Sequence, residues 1–276
     1  MKQILLTILL LSTMLFANDT RLDNYPQALK WEKNANSNAD SAFNLGIIYH
    51  KNIKDYERAI YWYKKAYSLD KGNDVANNLG YLYDDLKNYD EAIKWYKVGI
   101  NQDDSTSAFN LALLYKRKLN DNPNAIKYYK KAISMGDKGA AFNLGLLYKN
   151  NLKDYPNAIK YYTKAYEMGQ IGGANSLGYL YNVVLKDTNK GIIWYKKAAK
   201  GGHAEAINNL GRTYHELKDD TTASAYIFAM VNYGYSKKEV LNFLKNDWKI
   251  DKPTLEKAYE LQLKLDIPKH YRGGVN

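Results

Sequence analysis

The stretch Asn143-Leu144-Gly145-Leu146-Leu147-Tyr148 recurs six times along the chain with little change. Its glycine position reads Gly46, Gly80, Ala112, Gly145, Gly178 and Gly211, at spacings of 34, 32, 33, 33 and 33. Three places on, a tyrosine stands every time: Tyr49, Tyr83, Tyr115, Tyr148, Tyr181 and Tyr214. Self-similarity at a fixed period in this range marks a solenoid, in which each unit buries its apolar face only against its neighbours.

Reading outward from the hexad gives the unit. Ala42, Leu45, Gly46 and Tyr49 lie at i, i+3, i+4 and i+7, the spacing of one helix face, here called helix A. A short polar turn from His50 to Asp55 ends it. Helix B follows with Ala59, Trp62, Tyr63 and Ala66 at the same spacing. The B pattern returns as Ala92-Ile93-Lys94-Trp95-Tyr96, Ala125-Ile126-Lys127-Tyr128-Tyr129, Ala158-Ile159-Lys160-Tyr161-Tyr162 and Gly191-Ile192-Ile193-Trp194-Tyr195. Ala223, Tyr226 and Ile227 hold the same places more loosely. Asn24 to Ala35 reads as a half repeat. Pro26, Pro123 and Pro156 each stand two before the recurrent alanine, in the first helical turn, where a missing N–H breaks no intrahelical bond. Acidic residues just upstream (Asp55, Asp121, Asp154, Asp187, Asp219, Asp220) suit the positive helix end. Lysines such as Lys64, Lys97, Lys130, Lys164 and Lys197 mark the outer, solvated side of helix B. Past Gly234 the repeat stops. Ser236 to Asn246 and Pro253 to Leu265 read as two helices that cap the solenoid, and 269–276 as a short frayed tail.

Composition sets outer limits. The 276 residues are 46% hydrophobic and 25% charged, an ordinary globular balance with ample apolar material for a core. The formal net charge of +11 permits contact with anionic polymers or membranes, and it also fits a lysine-rich solvated face. With no cysteine, structural disulfides, thiolate metal sites, a catalytic thiol and a lipoprotein anchor are excluded. Lys2 followed by the apolar run Ile4 to Phe16 and the small Ala17 reads as a secretory signal peptide. That run is shorter than the ~20 residues of a membrane span. The expected organisation is a signal peptide over 1–17, a repeat solenoid over 18–235, capping helices over 236–268 and a tail over 269–276. The mature protein is expected to be periplasmic or secreted, without stable membrane insertion after cleavage.

Residues 194–211, WYKKAAKGGHAEAINNLG, closely resemble the Sel-one-like repeat, a branch of the tetratricopeptide repeat superfamily. Ala, Leu-Gly, Tyr, a loop, Ala, Trp-Tyr, Ala-Ala and Gly match column by column, and the resemblance covers roughly residues 24 to 235. The chain departs from the pattern where the family's Gly-rich A–B loop is replaced by runs such as Lys51-Asn52-Ile53-Lys54. The resemblance implies an all-α, right-handed αα superhelical solenoid of about six two-helix repeats, with an N-terminal half repeat and C-terminal capping helices. It also implies A helices on the concave side, and a protein–protein interaction role as adaptor or scaffold. One subfamily, the helical cysteine-rich proteins, carries a β-lactamase or penicillin-binding label, but its paired cysteines are missing here.

A glycine inside a helix costs about 1 kcal/mol against alanine. Its recurrence therefore points to close packing, with the Gly side facing helix B. At about 100° per residue, the position two before it lies roughly 200° round, on the inner face. That column reads Asn44, Asn78, Asn110, Asn143, Ser176 and Asn209. A row of carboxamides offers donors and acceptors to the backbone of an extended peptide. Equally, each Asn could bond a neighbouring helix and set the stagger of the repeats. The same face includes Ile47, Tyr81, Leu113, Leu146, Tyr179 and Arg212, then Lys51, Asp85, Arg117, Asn150, Val183 and Glu216, with Phe43, Phe109 and Phe142 at its edge. Tyr81 and Tyr179 are the favoured aromatic contacts, while Tyr49 and its equivalents fall on the core stripe, as do the Trp and Tyr pairs of helix B. The family's carboxylate-clamp lysine is absent, because the position four before the Asn reads Asp40, Asp74, Thr106, Gly139, Gly172 and Glu205.

Signals for chemistry are sparse. Ser68-Leu69-Asp70-Lys71 fits Ser-x-x-Lys, but neither Ser-Asp-Asn nor Lys-Thr-Gly follows. His50, His203, His215 and His270 do not pair at metal spacing and read as surface residues. No phosphate-binding loop and no nucleic-acid reader motif is present. The sequence thus leads to an exported binding module without cofactor or metal. Asn44, Asn78, Asn110, Asn143, Asn209, Tyr81 and Tyr179 are expected to contact an extended peptide of a protein partner in the cell envelope. Two other readings stand beside it: a β-lactam hydrolase by family label, and an envelope-polymer binder using the lysine face.

Overall fold

A computed structural model describes residues 19–70 and 72–275. Among them every regular element is helical. The described residues fall into two compact units, one on each side of the Met135–Gly136 junction.

The first unit starts with a short 3-10 turn, Thr20–Asn24, and α1 (Pro26–Asn34). Three A–B pairs follow: α2 (Ala39–Ile47) with α3 (Tyr56–Leu69), α4 (Asn73–Asp85) with α5 (Tyr89–Asn101), and α6 (Ser105–Arg117) with α7 (Asn122–Ser134). The second unit holds α8 (Lys138–Leu147) with α9 (Tyr155–Glu167), α10 (Gly172–Tyr179) with α11 (Thr188–Lys200), and α12 (Ala204–Glu216) with α13 (Asp220–Ala229). Its cap is α14 (Lys237–Asn242), a π turn over Phe243–Asp247, and α15 (Lys252–Gln262), which packs on α13. Within each unit every B helix also packs against the next A helix, so apolar faces close between neighbours as the period requires.

One contact fixes each A–B pair. The second aromatic of helix B (Tyr63, Tyr96, Tyr129, Tyr162, Tyr195) is fully buried. In four repeats its ring lies across the glycine of helix A. A Cβ on Gly46 would sit 2.4 Å from Tyr63 Cδ1, on Gly80 2.6 Å from Tyr96, on Gly145 2.6 Å from Tyr162, and on Gly178 2.3 Å from Tyr195. In the sixth repeat Ile227 replaces the ring, and Gly211 still leaves room for its side chain. The first aromatic of the pair lies nearer the surface: Trp62 and Tyr161 are buried, Trp95, Tyr128 and Trp194 only half-buried. The A-helix tyrosines reach this outer layer, and Tyr115 stacks on Tyr128, Tyr148 on Tyr161 and Tyr214 on Tyr226, with centroids 5.5, 5.5 and 5.9 Å apart.

The A–B turn is a second repeated device. One non-glycine residue per turn is left-handed: Lys54, Lys87, Asn120, Lys153, Lys186 and Lys218, with φ between 51° and 65°. The residue that follows it, an Asp or Asn, donates its N–H to the A-helix tyrosine carbonyl at 2.8–3.0 Å. The same residue caps helix B through its side chain, as Asp154 does by accepting from Asn157 N. Pro26, Pro123 and Pro156 stand in first turns as the sequence predicts.

Three expectations change. Helix A does not stop at a polar turn in the first repeat: it runs on as a π turn over Ile48–Ile53, and His50, expected at the surface, is 1% exposed. Its Nε2 lies 3.4 Å from Asp85 Oδ2 and its Nδ1 3.4 Å from the Tyr63 hydroxyl, while burial pushes its pKa below the usual value. The C-terminal segment is docked rather than frayed. Gln262 and Tyr271, both buried, exchange two hydrogen bonds of 2.5 and 3.1 Å, and the Tyr271 ring joins the core between α13 and α15. At the other end, Asp19 caps the 3-10 turn, bonds Arg21 Nε at 2.8 Å and pairs with Arg58, while Arg21 reaches Asp55 at 2.7 Å. The Arg21 bonds and the Arg58 charge overcome burial and hold the Asp19 carboxyl down at about 2. The signal-peptide segment, 1–17, lies outside the described residues.

A methyl group under a tyrosine ring requires the ring or the helix to move. Overpacking costs about 1–3 kcal/mol, against about 1 kcal/mol of helix propensity gained. Gly178→Ala is therefore expected to lose stability, by about 1 kcal/mol in urea unfolding; equal or greater stability would contradict the ring-over-glycine account.

Candidate functional site: the A-helix face

The tyrosine ring turns one side of each A helix towards B. The residue three after each column Asn remains on the opposite side: Ile47, Leu113 and Leu146 are half-buried, and Arg212 is exposed. Tyr81 and Tyr179 are 40% and 41% exposed. Each ring carries a lysine from the preceding A helix or its end: Lys51 Nζ lies 4.0 Å from the Tyr81 centroid, Lys149 Nζ 4.7 Å from that of Tyr179. Partial burial, the largest influence on both ammonium groups, pushes their pKa values down. His50 also packs against Tyr81, at 5.8 Å between centroids. These tyrosines are exposed but fixed, since their neighbours hold the ring in place.

The asparagine column divides into two kinds. Asn110 donates to Asn77 Oδ1 of the preceding A helix at 2.9 Å, and Asn209 donates to Asn175 Oδ1 at 3.2 Å. Asn175 passes the chain on to Glu205 at 3.1 Å. Asn78 and Asn143 instead donate back to their own helices, to the carbonyls of Asp74 at 2.7 Å and Gly139 at 2.9 Å. Asn44 is half-buried on α2. Each of the four bonds uses one of the amide's two N–H donors, and none uses its oxygen. The choice follows the residue before the column in the preceding repeat. Asn77 and Asn175 offer an acceptor to Asn110 and Asn209, whereas Phe43 precedes Asn78 and offers none.

In the first unit two candidate residues meet. Tyr81 and Asn110 line a cavity of about 120 Å³ together with Leu113, Arg117 and the buried ring of Tyr96. Tyr179, Asn143 and Asn209 lie in the second unit on successive A helices. The Ser-x-x-Lys serine is engaged elsewhere: Ser68 Oγ donates to the Lys65 carbonyl at 2.7 Å, in the last turn of α3, and Lys71 lies outside the described residues. Among the described residues no helix is long and apolar enough to cross a membrane.

Two larger cavities, which the sequence does not announce, lie where α12 meets the cap. The first, of about 310 Å³, is lined by Arg212, Ile227, Met230, Tyr235, Val240 and Phe243 among others; the second, of about 210 Å³, shares Arg212 and Phe243 and extends to Trp248. Of this wall Arg212 and Glu216 stand on the predicted inner face and Ile227 belongs to the sixth B helix, whereas Met230, Tyr235, Val240, Phe243 and Trp248 lie past the periodic pattern.

Paired antiparallel helices repeated every 32 to 34 residues define a protein of the helical-repeat class. The Sel1 repeat family matches residues 39–71 and 173–203, and tetratricopeptide repeat families match residues 74–103 and 111–172. The chain is a Sel1-like member of the tetratricopeptide repeat superfamily. Among solved structures it is similar to a protective antigen of uropathogenic Escherichia coli strains displaying an SLR fold, at 22% identity and a TM-score of 0.57, covering 86% of this chain. The chain spans only 55% of the length of that antigen. It is also similar to a Sel1 repeat protein from Oxalobacter formigenes, at 24% identity, TM-score 0.50, over 83% of this chain and 88% of that one. The C-terminal part of a repeat-containing protein from Cytophaga hutchinsonii matches at 20% identity, TM-score 0.53, over 81% and 95%. No curated protein matches the sequence significantly. Repeats of this class are typical protein-binding scaffolds.

The two kinds of asparagine predict different costs. A side-chain hydrogen bond contributes about 1 kcal/mol net. Asn110→Ala, which leaves Asn77 unpartnered, is expected to destabilise by about that much. Asn143→Ala gives up only a bond to its own helix and gains helix propensity, so it is expected to be neutral or slightly stabilising. Urea unfolding of both variants checks this, and equal losses would contradict the division.

Proposed function

We propose that the chain is an exported, non-enzymatic adaptor in which the A-helix face of each unit holds an extended segment of a protein partner. The observation that carries this reading is the pair Tyr81 and Tyr179. Each is a large, exposed ring on the A-helix face of its own unit, turned away from the B helices, fixed by a lysine and standing beside apolar neighbours of the same column. A rigid aromatic contributes contact area while losing little freedom on binding, and its hydroxyl adds a hydrogen bond. Around these rings the asparagines contribute oxygens. With one N–H of Asn78, Asn110, Asn143 and Asn209 engaged inside the protein, each keeps its oxygen and its second N–H for the N–H and C=O groups of a bound backbone. Such contacts grip a main chain with little regard for its sequence, and the apolar column selects side chains. The N-terminal apolar run with its small Ala17 supports export, and hence a partner in the cell envelope.

The test compares recovery of proteins from cell-envelope extract by the wild-type chain and by Tyr81→Ser/Tyr179→Ser. The double variant should keep its helix content and lose at least about tenfold in recovery of the specific partner, the scale of one or two interface anchors. Unchanged recovery by a folded double variant would overturn the groove reading.

A further inference from the structure

We propose that the slot between α12 and the C-terminal cap is an anchor site for one bulky apolar side chain of a bound extended peptide, with a lysine or arginine of that peptide at its rim. The proposal rests on the groove reading and adds a sequence preference to it.

The slot has a floor and a rim of opposite character. Ile227, Met230 and Val240 are 4%, 5% and 4% exposed and form the floor of the cavity of about 310 Å³, with Phe243 as the wall towards the second cavity. An apolar recess of this size suits a leucine, methionine or phenylalanine side chain and is too small for a helix or a folded domain. At the far end Trp248 is held flat against His215, with centroids 4.1 Å apart and planes 6° from parallel, and His215 is itself paired with Asp220 at 2.6 Å. The second cavity therefore has a rigid aromatic end, which suits a slot ready to receive a chain.

The rim decides the charge of the occupant. Arg212, Glu216 and Glu239 are its exposed ionisable groups, and none makes an ion pair with another described residue. Glu239 is fixed by its capping box, where its Oε2 accepts the Ser236 N–H at 2.9 Å. Glu239 at the first cavity and Glu216 at the second thus stand against the one guanidinium that lines both, a locally acidic mouth on a chain of net charge +11. An acidic peptide meets repulsion there, whereas a basic side chain beside the apolar anchor finds Glu216 or Glu239. The planar guanidinium of Arg212 then donates to a backbone carbonyl of the same peptide, as Asn209 one turn away offers its oxygen to a backbone N–H.

A phage-displayed library of random dodecapeptides, selected on the purified chain, tests the proposal. The expected outcome is enrichment of Leu, Met or Phe next to Lys or Arg. A synthetic copy of a selected peptide should quench or shift tryptophan fluorescence. It should bind Phe243→Ala at least tenfold more weakly, and Glu216→Lys should select against the basic residue. Both variants alter side chains that are not fully buried, and circular dichroism confirms their fold. No enrichment, enrichment of acidic peptides, or identical selection on both variants would overturn the proposal. Its failure is separable from that of the groove. If Phe243→Ala binds the envelope partner normally while Tyr81→Ser/Tyr179→Ser does not, the slot falls and the groove stands. If selection depends on Phe243 but the tyrosine pair is dispensable, the slot stands as a separate site and the groove falls.

Discussion

A tyrosine ring laid over a glycine is the contact on which four of the six repeats depend. Burying an aromatic of this size removes roughly 150–250 Å² from water, worth several kcal/mol at about 25 cal/mol per Å². The glycine costs about 1 kcal/mol of helix stability, a small loss against that gain. The arrangement also sets direction. With Gly178 beneath Tyr195 and Gly145 beneath Tyr162, the rotation of each A helix about its axis is fixed, and Tyr179, one residue past Gly178, is left facing outward. The third repeat shows that the contact tolerates adjustment, since Ala112 stands opposite a Tyr129 that is still fully buried.

The turn between A and B works with this contact. The family's glycine-rich loop is replaced by a left-handed lysine or asparagine, a conformation that costs an L-residue of the order of 1–2 kcal/mol. Two bonds offset it each time. The residue that starts helix B donates its N–H to the A-helix tyrosine carbonyl and caps its own helix with its side chain, as Asp55, Asp121 and Asp187 all do. The tyrosine three after the glycine is thus more than core filler: its carbonyl takes the N–H that starts helix B, and in three repeats its ring stacks on the B-helix aromatic.

The periodic features were legible because they depend on spacing alone. Gly46 and Tyr49 fix the helix face, Pro123 and Asp121 the start of a B helix, and Lys164 the solvated side. What escaped depends on partners distant in sequence. His50 looks like part of a polar turn, but a π turn carries it inward against Tyr63 and Asp85, a change in backbone register that side-chain pattern does not reveal. Tyr271 looks like tail, yet Gln262, nine residues back, takes both its backbone groups. The asparagine column looks uniform, and only comparison with the preceding position, Phe43 or Asn77, separates a back-bonded amide from one that bridges two repeats. The slot at the cap is built mainly by Met230, Val240, Phe243 and Trp248, which follow no period.

On the proposed reading, binding falls on the A-helix faces, whose orientation the buried tyrosines impose, with the lysine-rich B surface left to solvent. The most direct measurement is site-specific photo-crosslinking in the second unit, with a benzoylphenylalanine at Tyr179 on the A face or at Lys164 on the exposed side of α9. Irradiation in cell-envelope extract should give a covalent adduct from position 179 and none from position 164. An adduct from position 164 alone, or equal adducts from both, would contradict the account.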